Sequence, residues 1–170
     1  AALYNSKRSL LQVITGLPNA PVVKPAAALP WKPGVLAVSD RGTVLAAADG
    51  ALWSVGGVSA PASYDLPGRL SSAGASYPKG PSRTVPALVQ VGTFAAISFF
   101  PDRDDAAVSD GASIWVTRGS SITPLGEAPG AVAVRADKEF VFAAARQSII
   151  RFELATGIRT ETACDFAPTA

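Results

Sequence analysis

The acidic run Asp102-Arg103-Asp104-Asp105 is the place in this chain where carboxylates crowd most closely. Calcium is a hard cation that takes several oxygen ligands, so Asp102, Asp104 and Asp105 are the candidate metal ligands. The spacing matches no calcium loop, however, and Arg103 brings an opposing charge into the run. A solvated turn is the preferred reading, with no cofactor expected and calcium the one ion these residues suggest.

The chain has no histidine and one cysteine, Cys164. From this chain alone, a Ser-His-Asp or Cys-His nucleophile and a His-ligated zinc or copper site are excluded. Cys164 lacks a partner that would hold it as a thiolate and reads as an ordinary free thiol. No catalytic residue is assigned. Binding candidates are of a different kind. Arg69, Tyr77, Lys79 and Arg83 lie on the Gly-, Pro- and Ser-rich stretch "PGRLSSAGASYPKGPSRTVP", residues 67–86, which reads as a long surface loop. Trp31, between two prolines in "LPWKPG", is either a surface contact or a plug against a sheet edge.

Composition limits the scaffold that must carry these residues. With 48% hydrophobic and 16% charged residues over 170 positions, the chain can bury one sizeable core and is not disordered in character. A formal net charge of +2, with both signs scattered, forms no basic stripe, so nucleic acid is not an expected partner. The longest uncharged stretch, "TVPALVQVGTFAAISFFP" at 84–101, holds two prolines, a glutamine and a glycine. It reads as strands rather than a membrane span. The opening residues lack the apolar core of a signal peptide, and the absence of Met suggests a mature product or an excerpt.

Fifteen glycines and fourteen prolines cut the sequence into short pieces, as strands and turns require. Aligned with itself, the chain repeats one order of parts. A first apolar strand, Val35 to Val38, Ala95 to Phe99 or Ala131 to Val134, leads to a turn holding Asp40, Asp102 or Asp137. A second strand follows, Val44 to Ala48, Ala106 to Ser109 or Phe140 to Ala144, and then a tight turn at Asp49-Gly50, Asp110-Gly111 or Arg146-Gln147. Asp-Gly favours a two-residue hairpin because both central positions take positive φ. The third copy, with Arg-Gln, must close through a different or longer turn. Third strands carry Trp53, Trp115 or Phe152 and end on Gly57, Gly119 or Gly157, as the opening "SLLQVITG" ends on Gly16. With a short outer strand such as "SSITPL" at 120–125, the unit is a four-stranded antiparallel sheet of roughly forty residues.

These residues resemble those of a known group. "ISFFPDRDDAAVSDGASIWVT" is similar to the Phe-Ser-Pro-Asp-Gly repeat of WD-repeat-like, YVTN-type and Tol-type β-propellers, and "SIIRFELATG" to their strand ending in Asp-Leu-Ala-Thr-Gly. The resemblance covers nearly all of residues 34–160. Phe100 stands where Ser is usual and Arg103 where Gly is usual, and no copy carries the Trp-Asp dipeptide or Gly-His start of WD repeats. It implies a propeller of unresolved subfamily, and it alone points to the periplasm or the outside of the cell.

The expected fold is all-β, an arc of three to four four-stranded blades in one partial propeller domain over 1–170, with a β-sandwich as the alternative. Residues 1–16 would end one blade, 17–66, 87–128 and 129–163 would form blades around the 67–86 insertion, and 164–170 would begin another blade or a tail. Such an arc exposes blade faces and strand edges. It is therefore expected to belong to a larger propeller or to close by self-association. The function expected is a non-catalytic binding or scaffolding module for a protein or polymer ligand. The alternative is part of a lactonase-like, calcium-dependent hydrolase whose catalytic residues lie largely elsewhere.

Overall fold

The computed structural model describes residues 1–29, 31–48, 51–55, 62–64, 94–119 and 121–165. Four antiparallel sheets follow one another along the chain. The first contains β1 (Ala2–Asn5), β2 (Leu10–Thr15), β3 (Val22–Val23) and β4 (Ala27–Ala28). The second is β5 (Val35–Val38), β6 (Val44–Ala48), β7 (Ala51–Val55) and β8 (Ala62–Tyr64). The third is β9 (Ala96–Phe99), β10 (Ala106–Ser109), β11 (Ser113–Arg118) and β12 (Ser121–Glu127). The fourth is β13 (Ala131–Ala136), β14 (Phe140–Ala145), β15 (Ser148–Glu153) and β16 (Arg159–Ala163). In the last three sheets spatial order equals chain order, and the first strands β5, β9 and β13 pack side by side.

Burial explains the sequence patterns. β6 and β10 lie in sheets covered on both faces, and every residue of "VLAAA" and "AAVS" is buried, which is why they read as continuous apolar runs. β14 belongs to a sheet that, among the described residues, packs on one face only. Its "FVFAAA" alternates half-buried with buried positions, Val141, Ala143 and Ala145 facing the third sheet. Small side chains on β6, β10 and β14 let neighbouring sheets approach closely. Farther out, Trp53, Trp115 and Phe152 fill the wider gap, each set opposite the second strand in the pairs Ala46–Trp53, Val108–Trp115 and Val141–Phe152. Full burial of a ring such as Phe152, 0% exposed, stabilises by about 3 kcal/mol.

Three expectations need correction. The first sheet does not end at residue 16. β3 and β4 both pair with β2, so residues 17–28 belong to it rather than to the second blade. They form one outer strand interrupted at Pro25, which has no N–H to donate, and the Lys24 N–H still bonds Val13 O at 2.8 Å. The hairpin read at Asp110-Gly111 turns instead at Gly111-Ala112, because Asp110 N–H donates to Ser113 O at 3.3 Å and the Asp110 side chain holds the turn from outside. Gly111 supplies the positive φ, 82°. The Arg146-Gln147 hairpin is no longer than two residues, since Ala145 pairs with Ser148; Arg146 itself takes the left-handed conformation, φ 48°. Asp49-Gly50 and the insertion at 67–86 lie outside the described residues. Among those described, no helix is long and apolar enough to cross a membrane.

Candidate functional site

The turns after the first strands gather at one end of the arc. Ser39 organises the first of them: its N–H bonds Thr43 O at 2.8 Å, and its Oγ accepts the Thr43 N–H at 3.0 Å. In the second, Phe100 N–H bonds Asp105 O at 3.0 Å and Asp102 takes φ 58°, which an Asp side chain tolerates better than most. In the third, Asp137 N–H bonds Phe140 O at 2.8 Å. Two side-chain bonds tie neighbouring sheets together here. Ser39 Oγ donates to Asp104 Oδ1 at 2.6 Å, and Ser98 Oγ accepts the Ala136 N–H at 3.0 Å.

Between the ends of β5, β9 and β13 lies a recess of about 390 Å³. Its surface is mostly polar, and residues 97–101 of the third sheet line its middle, Ile97 and Phe99 with their side chains packed against the core. Asp40 comes to it from the second sheet and Arg135 from the fourth, both exposed. Among the described residues neither side chain is engaged in an ion pair, the one such pair being Arg159–Glu161. The recess thus offers a carboxylate from the second sheet and a guanidinium from the fourth on a mostly polar surface. That pattern suits a ligand carrying both charges, with Arg able to hold a carboxylate through two N–H groups.

The three aspartates singled out in the sequence do not share a centre. Asp104 accepts from Ser39, Asp105 Oδ1 accepts the Gly119 N–H at 3.2 Å, and Asp102 is exposed on the turn. Among the described residues no three Asp, Glu, Cys or His side chains are grouped as a metal ion would need. Arg103 lies over the Phe100 ring at 6.0 Å. Trp31 is half-buried at the junction of the first and second sheets. Its ring centroid is 5.3 Å from that of Trp53, and its carbonyl accepts the Tyr4 hydroxyl at 3.3 Å. Arg69, Tyr77, Lys79 and Arg83 lie outside the described residues. Sequence reasoning passed over Arg135, although a lone charge in the otherwise apolar strand "AVAVRA" was a visible signal.

No family model matches the chain, and no curated protein does either. A structural likeness exists to virginiamycin B lyase from Staphylococcus aureus, with a TM-score of 0.58 at 13% sequence identity. It takes in 97% of this chain and 55% of that one, so the chain spans little more than half the length of its structural neighbour. The sheets are β-propeller blades. In a propeller the first strand of each blade lines the axis, which places the recess of Asp40 and Arg135 on the axial side, across three blades.

Proposed function

We propose that this chain is a non-catalytic binding module, the part of a larger propeller ring that holds a protein or polymer ligand at the axial end of its first strands. The observation that carries the reading is the recess flanked by Asp40 and Arg135, whose charges are left available where three blades meet. Shared fold does not transmit function, so the reading rests on this site and not on the activity of the structural neighbour. The neighbour's greater length supports the ring: a chain that matches 55% of it leaves room for further blades beside the arc.

A peptide with Lys and Glu separated by two uncharged residues is the probe, titrated calorimetrically into the chain. It binds saturably, and Arg135→Glu or Asp40→Lys weakens binding at least tenfold, while the double exchange restores it toward a peptide of reversed order. Equal binding by all variants would sink the recess as the ligand site. Light scattering checks the ring: a monomer that stays monomeric at high concentration and melts cooperatively counts against it.

A further inference from the structure

The three first strands end alike, and each turns one N–H toward the axis at the same level. In β5, β9 and β13 the turn closes at Ser39, Phe100 and Asp137, whose N–H groups bond Thr43 O, Asp105 O and Phe140 O. Antiparallel pairing alternates bonded and non-bonded positions, so the residue before each, Val38, Phe99 or Ala136, directs its N–H and C=O away from the second strand. One of these three donors already has a partner. Ser98 Oγ accepts the Ala136 N–H at 3.0 Å, reaching it from the neighbouring sheet.

This serine has a counterpart one sheet back. Ala37 pairs with Leu45 as Ser98 pairs with Ala107, each standing one residue before the axial N–H of its own strand. Their side chains point the same way round the arc. Ser98 faces the fourth sheet, because Ile97 and Phe99 on either side of it pack into the core between the second and third. Ala37 faces the third sheet, because Leu36 and Val38 on either side of it pack toward the first. Where Ser98 gives Ala136 an oxygen, Ala37 gives Phe99 only a methyl group, and among the described residues no oxygen accepts the Phe99 N–H. Ala37, Phe99 and Arg135 all line the recess. Most of its lining residues are apolar while its surface is mostly polar, so the main chain of these strand edges supplies much of that polarity.

We infer that the Phe99 N–H is the point at which the recess holds a ligand carboxylate, one oxygen taking the place that Ser98 Oγ fills one sheet on, with Arg135 as the countercharge. It rests on the recess being the ligand site. A charged acceptor makes a shorter and stronger bond to an N–H than a neutral one does, so a carboxylate is held in preference to an amide. Ala37 is the residue that sets this specificity, since a hydroxyl in its place would occupy the donor from within the chain.

The probe is the peptide with Lys and Glu, acetylated and amidated so that Glu carries its one carboxylate, titrated into the nitrogen-15-labelled full chain. The Phe99 amide proton moves downfield saturably, while that of Ala136, already bonded, stays in place. Ala37→Ser sets a hydroxyl beside Phe99 as Ser98 does beside Ala136: the Phe99 amide proton then lies downfield before any peptide is added, and the peptide binds at least tenfold more weakly. A second peptide, with Gln for Glu and a free C-terminus, tells a terminal carboxylate from a side-chain one, and a shift at Phe99 with either supports the site. The site is overturned if neither peptide moves the Phe99 amide, or if Ala37→Ser binds as tightly as the unaltered chain. Binding that Arg135→Glu weakens but Phe99 does not register removes the amide site and leaves the recess standing; no calorimetric binding at all removes both.

Discussion

The Ser39 hydroxyl donates to Asp104 Oδ1 at 2.6 Å, joining the turn of the second sheet to that of the third. Ser39 is 5% exposed while Asp104 is exposed, so the bond is half in solvent and its cost of removal falls mainly on the serine. Asp104→Ala leaves a buried hydroxyl without its acceptor and lowers stability by about 1 kcal/mol. Asp104→Asn keeps an acceptor oxygen and loses less. Urea unfolding checks this; equal midpoints for Asp104→Ala and the unaltered chain mean that the bond contributes nothing in solution.

Asp110 is more deeply committed. Its Oδ1 accepts the N–H groups of Ala112 and Ser113 at 2.9 and 2.7 Å, and its Oδ2 accepts the Trp115 indole N–H at 2.9 Å. Both residues are buried, 6% exposed each. Asp110→Ala strips a turn and a buried indole of their acceptor together, a loss on the order of 3 kcal/mol. Asp110→Asn retains Oδ1 for the turn but sets an amide donor against the indole, and its loss is intermediate. Near-ultraviolet circular dichroism of the tryptophans, followed through thermal unfolding, ranks the three chains.

A glycine makes room for the largest fully buried ring. A Cβ built on Gly126 of β12 would stand 2.5 Å from Phe152 Cε1, and Phe152 packs in the core between the third and fourth sheets. Gly126→Ala forces that ring to move and costs about 1–3 kcal/mol. Phe152→Ala leaves a cavity and costs about 3–5 kcal/mol. The two changes do not add: with the ring gone, the methyl at 126 has space, so the double variant is less destabilised than the sum. Additive losses in a denaturant double-mutant cycle would show that the two residues do not touch.

Much of the architecture was legible because burial leaves a mark on strand sequences. "VLAAA" and "AAVS" are continuous since both faces are covered, and Trp53, Trp115 and Phe152 recur because each fills the same gap. What escaped depended on pairing and packing that the local residue types do not mark. Val22–Val23 and Ala27–Ala28 look like loop among prolines and become strand only beside β2. Arg146 has no sequence mark of a left-handed residue, whose cost of about 1 kcal/mol is borne by the paired strands around it. At the candidate site the turn character of Asp102, Asp104 and Asp105 could be read directly. That Asp40 and Arg135 flank one recess could not, since nearly a hundred residues separate them and only the packing of three blades brings them together.

Glu161 provides a pH test of the outer strand of the fourth sheet. Ser148 Oγ donates to its Oε1 at 2.7 Å and Arg159 Nη2 to its Oε2 at 2.6 Å. The serine hydrogen bond first, and then the arginine, hold its carboxyl below the usual glutamate range. A folded-state pKa below the unfolded one means stabilisation that is present above the unfolded value and is lost as pH falls through the folded value. The group is exposed, so salt screens the arginine's share, whereas the serine bond persists. Carbon-13 titration of the side-chain carboxyl therefore shows a depressed pKa that Ser148→Ala raises at any ionic strength. A Glu161 that titrates in the ordinary range, unmoved by Ser148→Ala, means that β15 and β16 do not hold this bond in solution.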